Sequence, residues 1–270
     1  MRLVVKVGTS TVHNEAGEDS VASLASQVAA QVHAGHSVAV FSSGAVRCGR
    51  ELTDAPDLPP AAAAAVGQPL VYGRWRDALA VRGVPTAQVL VGDRDLHPKA
   101  SGGPLVEALW RAGIVPILNG NDAIAHARAP VGDNDALACA LSLRVGADRL
   151  VLLTDQDGLC TADPRVEPGA RPIAELGQAD LAAMAAVLAA APPGPHGRGG
   201  MLSKVHAALA ASRGGVAAVI ANGRNPDVLA LVVAGRPVGT RVAAVSRFAQ
   251  APTVATLAGM AEGAVGYGGD

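Results

Sequence analysis

Aromatic side chains are nearly missing from this chain: two Phe, two Tyr and two Trp among 270 residues, although half of the residues are hydrophobic. Any core must therefore be built from small and β-branched aliphatic side chains, and the composition is neither low-complexity nor that of a disordered chain. Cysteine is equally sparse. Cys48, Cys139 and Cys160 are odd in number, far apart and without C-x-x-C spacing, which excludes a disulfide framework or a zinc site and predicts reduced, mostly buried thiols. Charge of one sign is lacking too, with a formal net charge of −1 and no Lys/Arg cluster, so no nucleic-acid surface is expected and small polar partners are favoured. No apolar run approaches the roughly 18 residues of a membrane span, and the opening MRLVVKVGTS is too short for a signal peptide. A cytoplasmic protein without a membrane partner is expected.

What the chain has in abundance is short Val/Ile/Leu runs: LVVKV (3 to 7), SVAVFS (37 to 42), TAQVLV (86 to 91), IVPIL (114 to 118), RLVLLT (149 to 154) and VAAVIA (216 to 221). Each is near-continuously apolar, as for a strand buried on both faces. Helical patterns lie between most of them, such as VASLASQVAAQVHAG ending at Gly35, ALACALSLRVGA, and MLSKVHAALAASRG ending near Gly214, with glycine where a helix stops. Strand alternating with helix predicts an α/β fold with a mainly parallel sheet covered by helices. The segment 191 to 200, APPGPHGRGG, reads as a flexible loop, and the chain after about Arg241 as irregular.

In such sheets ligands bind beyond the carboxyl ends of the strands, so the residues just past each strand are the informative ones. Gly8-Thr9-Ser10 follows the first strand, Ser42-Ser43-Gly44-Ala45 the second, Asn119-Gly120-Asn121-Asp122 the fourth and Thr154-Asp155 the fifth. Taken singly, each is equally a turn or a helix cap. Lys6 is harder to dismiss, because an ammonium inside an apolar strand is costly to bury unless an anion lies within reach. The stretch GRGGMLSK (197 to 204) has glycines, a helix start and a lysine one turn in, the makings of a phosphate cradle. It is not a Walker A loop, since Ser203 precedes Lys204 where that motif places lysine first. Asp133-Asn134-Asp135 is alternatively an N-cap cluster, and it is no EF-hand, because position five would be Leu137 and the glycine and glutamate of that loop are missing. The seven histidines show no metal-binding spacing, and His196, beside the glycine loop, reads as solvent-exposed. Asp163-Pro164-Arg165 reads as the end of a turn.

In order and spacing, VVKVGTS, SSGAV, AVGQ, the N-x-N-D-A-I turn, VGDNDALA, LLTDQDGLCTADP and GGMLSK resemble the amino acid kinase family, in particular its glutamate-phosphorylating branch, from residue 1 to about 242. The resemblance implies a three-layer αβα sandwich, a kinase domain over 1–242 with acceptor in the N-terminal half and ATP in the C-terminal half, and an irregular tail over 243–270. It implies ATP-dependent phosphorylation of the glutamate side-chain carboxylate to γ-glutamyl phosphate, the first step of proline biosynthesis, with Mg²⁺ entering on ATP. By the same resemblance Lys6, Lys204 and Asp135 are catalytic, with Asp135 orienting the lysines. Lys6, Gly8, Thr154, Asp155 and the loop Arg198, Gly199, Gly200, Met201, Leu202, Ser203 and Lys204 bind ATP, and Ser43, Gly44, Asp122 and Asn134 bind the acceptor. No protein-held metal, a homo-oligomer and functional coupling to a γ-glutamyl phosphate reductase are expected.

Three departures from the branch concern the acceptor and the phosphate loop. Its N-E-N-D-A turn has Gly120 in place of the glutamate, its N-A-R-x-T segment is replaced by KASGGPLVEA (99 to 108), and its T-G-G-M loop has Arg198 in place of threonine. A C-terminal PUA domain, common in the branch, is not expected here. The altered acceptor side leaves open a kinase for another small amino acid or carboxylic acid. A nucleotide or amino acid sensor without turnover is the other class, which the presence of Lys6, Asp135 and Lys204 argues against.

Overall fold

The computed structural model describes residues 1–12, 20–124, 133–162, 167, 169–177, 180 and 200–245. In chain order the elements are β1 (Arg2–Val7), α1 (Thr9–Val12), α2 (Ser20–His33), β2 (Ser37–Ser42), α3 (Ala45–Thr53), α4 (Pro60–Ala80), β3 (Thr86–Val91), a 3-10 turn (Asp93–Leu96), α5 (Gly102–Arg111), β4 (Val115–Gly120), α6 (Asn134–Arg144), β5 (Arg149–Thr154), β6 (Glu175–Leu176), α7 (Met201–Arg213), β7 (Ala217–Asn222), α8 (Val228–Val233) and β8 (Thr240–Val242). Among the described residues they form one sheet ordered β3-β4-β2-β1-β5-β7-β8-β6. The pairs from β3 through β7 are parallel, β8 runs antiparallel to β7, and β6 is parallel to β8.

Helices cover both faces, as strand-helix alternation requires. Along β1 the side chains alternate: Leu3, Val5 and Val7 join the core beneath α2, α4 and α8, and Val4 joins the core beneath α5, α6 and α7. Lys6 shares the face of Val4 by this period of two, so its side chain is directed to the layer of α6 and α7. The three-layer αβα expectation therefore describes the fold.

Some expectations need correction. The run 86 to 91 is not buried on both faces, because β3 is an edge strand of the sheet among the described residues, and Gln88 and Leu90 are exposed. β4 continues two residues past the expected end: Asn119 and Gly120 stay in register with Leu90 and Val91 rather than forming a turn. A buried asparagine is tolerated there because both ends of its amide are hydrogen-bonded. The last described strand, β8, ends at Val242. The segment 191 to 199 and the chain from 246 onward lie outside the described residues.

Helices α3 and α4, not anticipated from pattern, pack backbone against backbone. A Cβ at Gly49 would fall 1.9 Å from the Ala63 carbonyl oxygen, and one at Gly67 1.9 Å from that of Ala45. Only glycine permits this approach. It seats α4 against the first turn of α3, immediately after Ser43 and Gly44. Cys48 and Cys139 are buried and Cys160 is half-buried, none of them in a disulfide. Among the described residues no helix is long and apolar enough to cross a membrane.

Candidate active site

Three charged side chains that polar solvation would normally hold at the surface meet inside the protein. Lys6 and Lys204 are each 5% exposed and Asp135 is wholly buried. Lys6 Nζ lies 2.9 Å from Asp135 Oδ1, and Lys204 Nζ lies 3.3 Å from Asp135 Oδ2. One carboxylate thus spans two cations, leaving one net positive charge in a low-dielectric setting where it acts strongly on an anion. Burial, aided by the neighbouring Lys204, holds the Lys6 ammonium below its ordinary value despite the attraction of Asp135. Burial opposes the charge on Asp135, but Lys204 and Lys6 together outweigh it and hold its carboxyl below the usual range.

Each partner comes from a different element. Lys6 is on β1, Asp135 in the first turn of α6 and Lys204 in the first turn of α7. Asp133 caps α6, accepting from the backbone N–H groups of Asp135 and Ala136. The same oxygen accepts the Ser203 hydroxyl at 2.8 Å, joining the starts of α6 and α7. The geometry thus makes Asp133 the cap of α6 and leaves Asp135 between the two lysines. Gly8 follows β1 directly, and a Cβ there would stand 3.9 Å from Lys6 Nζ, so its backbone lies close over the ammonium.

On one flank, beyond β2 and β4, lies a chain of neutral polar groups. Asn134, buried, donates to Ser43 Oγ at 3.0 Å and to Asn119 Oδ1 at 2.7 Å. Its own Oδ1 accepts the Gly120 N–H at 2.9 Å. Gly44 caps α3 with φ 111°, in the left-handed region where glycine is favoured, so the chain can turn sharply after Ser43. Asp122 is half-buried, and burial pushes its carboxyl above the usual range. A Cβ at Gly120 would point between Asp122 Oδ1, at 3.3 Å, and Asn134 Oδ1, at 3.5 Å. Ser43, Gly44, Asp122 and Asn134 are thus gathered at this flank. Gln68, the last residue of the AVGQ motif, and Asn119, the first of the turn expected after the fourth strand, complete it, although the sequence assigned neither a role. Their signal was a lone glutamine in the alanine-rich run before α4's Pro69 and an asparagine directly after IVPIL.

The opposite flank lies beyond β5 and β7. Thr154 is buried at the end of β5 and donates to Asp155 Oδ1 at 3.2 Å. Asp155, Gln156, Asp157, Cys160, Pro172 and Asn222 line a cleft of about 290 Å³. Of the glycine loop, Gly200 is exposed and caps α7, while Met201, Leu202 and Ser203 are half-buried in its first turn. Arg198 and Gly199 lie outside the described residues, as do His196 and Asp163-Pro164-Arg165. Among the described residues no group of three or more His, Cys, Asp or Glu could hold a metal ion.

Paired lysines buried near the carboxyl ends of a parallel sheet, between a polar pocket and a cleft, place the charged cluster of this α/β protein where such sheets bind ligands. The chain belongs to the amino acid kinase family, whose model matches residues 1–222. It is 40% identical over 250 residues to the glutamate 5-kinase of Serratia marcescens, covering 88% of this chain and 68% of that one. The glutamate 5-kinase of Shewanella halifaxensis is 39% identical over 254 residues, covering 90% and 68%. The crystal structure of UMP kinase from Bacillus anthracis superposes with a TM-score of 0.64 at 15% identity, covering 91% of this chain and 96% of that one, which shows a shared fold.

Proposed function

We propose that this protein transfers the γ-phosphoryl group of ATP to the side-chain carboxylate of glutamate, giving γ-glutamyl phosphate and ADP. The observation that carries the reading is the Lys6–Asp135–Lys204 array; the identity to glutamate 5-kinases supports the acceptor. A carboxylate oxygen forms the new bond to the γ-phosphorus as the bond to the β,γ-bridging oxygen breaks, and ADP leaves with that electron pair. The nucleophile is already ionised near neutral pH, so no general base is required. The obstacle is repulsion between anions. Catalysis then rests on positioning and on cations that neutralise the transferring group, which is what Lys6 and Lys204 supply.

In this reading the acceptor occupies the β2/β4 flank, with Ser43, Gly44 and Asn134 on its polar groups and Asp122 facing its ammonium. The nucleotide occupies the β5/β7 flank, its phosphates on Gly8, the start of α7 and both lysines, and its nucleoside end in the cleft beyond Thr154 and Asp155. By the sequence resemblance Arg198 and Gly199, outside the described residues, are assigned to the same phosphates. Mg²⁺ suits this donor set as an ion carried on the phosphates rather than one held in a protein cage. The product acyl phosphate is labile, so a reductase that consumes it is the expected functional partner, and the protein works as a cytoplasmic homo-oligomer.

Gly120 favours a second acceptor. The carboxylate that the glutamate-phosphorylating branch carries at this position is missing beside Asp122 and Asn134, so the polar partners offered to an acceptor differ from those expected for glutamate. One assay addresses both readings: the purified protein with ATP, Mg²⁺ and hydroxylamine, offered glutamate and a panel of small amino acids and carboxylic acids. Hydroxamate formation with glutamate supports the first reading, and formation with another acid alone supports the second. ATP binding with no acceptor-dependent ADP release from any acid would replace both with a sensor.

A further inference from the structure

The acceptor flank is tied to helix α4 by a buried amide chain that no residue assigned above explains. Asn119 Nδ2 donates to Gln68 Oε1 at 2.6 Å, and Asn119 Oδ1 accepts from Asn134 Nδ2 at 2.7 Å. Asn134 in turn donates to Ser43 Oγ. A side-chain amide has one donating and one accepting end, so the direction set at one member is passed to the next. The Gly120 N–H, which can only donate, contacts both Asn119 Oδ1 and Asn134 Oδ1 at 2.9 Å and so fixes which way both asparagines face. With those oxygens committed, Asn119 must present its nitrogen to α4, and Gln68 answers with oxygen. At the far end Ser43 receives a hydrogen bond and keeps its own proton to donate. A hydroxyl held this way suits an oxygen of an anionic acceptor.

Gln68 is itself locked to the turn that carries Ser43. Gly67 lies against the Ala45 carbonyl and the Gly49 nitrogen, and Trp75, two turns along the same helix face, donates from Nε1 to Ser42 Oγ at 2.8 Å. Backbone contact and hydrogen bonds therefore close a ring from Gln68 through Asn119, Asn134, Ser43 and Ala45 back to Gly67.

We infer that Gln68 is a positioning residue for the acceptor: it holds Asn119, and through it Asn134 and Ser43, in the orientation that binds the acceptor's oxygen. This rests on the acceptor reading of the β2/β4 flank. Removing the Gln68 oxygen leaves a buried Asn119 N–H₂ without an acceptor, a costly state relieved by rotation of Asn119 and loss of order along the chain.

The test compares Gln68→Met, similar in volume and without the acceptor atom, with Gln68→Glu, which keeps an oxygen. Steady-state constants are measured for ATP and for the acceptor found in the hydroxamate panel, with hydrogen exchange followed at the peptide containing Gly120. Gln68→Met should raise the acceptor KM roughly tenfold or more with the ATP KM within about twofold, and should speed exchange at Gly120. Gln68→Glu should restore much of both. An unchanged acceptor KM with unchanged exchange overturns the inference, as does a parallel rise of both KM values with a lowered Tm, which marks a purely structural role. If the wild type turns over no acceptor, the proposed function fails, and the exchange comparison alone decides whether Gln68 holds the chain.

Discussion

Ser203 donates its hydroxyl to Asp133 over 2.8 Å, linking the residue before Lys204 to the residue that caps the helix carrying Asp135. The Lys204–Asp135 pair beside it is looser, at 3.3 Å. Two helix starts that must present a cation and its counter-ion at fixed separation are thus pinned by a charge-assisted bond adjacent to the ion pair.

Loss of that bond should be felt on the nucleotide side. Ser203→Ala is expected to raise the ATP KM severalfold with the acceptor KM little changed, and Ser203→Thr, which retains the hydroxyl, to stay near wild type. Steady-state kinetics on the two variants check this. Equal ATP KM values in all three proteins would show that the bond positions nothing.

Asp135 should be the most costly member of the array to remove. Asp135→Asn leaves two buried ammonium groups without their counter-ion, and breaking a buried pair in this way costs about 3–5 kcal/mol. Lys6→Met or Lys204→Met should cost less, because Asp135 keeps one partner. Urea unfolding of the three variants gives the order. Acid adds a sign: the native carboxyl of Asp135 lies below its unfolded value of 3.8, so its stabilisation is present above that value and fades as pH falls through the native one.

At the alkaline end Lys6 governs. Burial lowers its native value below 10.5, so its cation is lost earlier than that of an ordinary lysine, and if Lys6 serves phosphoryl transfer as proposed, kcat should fall on a limb below pH 10.5. Stability moves oppositely. Between the lowered native value and 10.5 the unfolded chain binds more protons at this site, so its contribution rises with pH there. Lys6→Arg, a guanidinium that keeps its charge, should remove the limb from the pH–kcat profile at whatever activity it retains. An identical limb in that variant would assign it to another group.

The strands that carry the site were legible because burial on both faces demands nearly unbroken aliphatic runs, as in RLVLLT. The edge position of β3 was hidden by an equally apolar run, since periodicity does not report which neighbour a strand lacks. Helix α4 was missed because PAAAAAVGQPL is small and apolar on every side, and its docking depends on Gly67 and Gly49 rather than on an amphipathic stripe. Lys6 announced itself chemically, as a cation in a strand. Asp135 and Lys204 came from the motif resemblance, and only the folded chain shows all three in contact. The roles of Gln68 and Asn119 were not legible, although both lie in motifs the sequence offers, because a single amide in an apolar segment looks like an ordinary helix or turn residue until its partners, about 15 to 90 positions away in the chain, are in place.

The central claim is that Lys6 and Lys204 act on the transferring phosphoryl group rather than merely closing a buried ion network. It is tested most directly by kcat for Lys6→Met and Lys204→Met, with ATP affinity measured calorimetrically and folding by circular dichroism on the same samples. The account predicts folded proteins that still bind ATP while kcat falls by roughly 10² to 10³ or more, the cost of removing a preorganised transition-state donor. Folded variants that turn over within a fewfold of wild type would contradict it and place the reaction elsewhere in the protein.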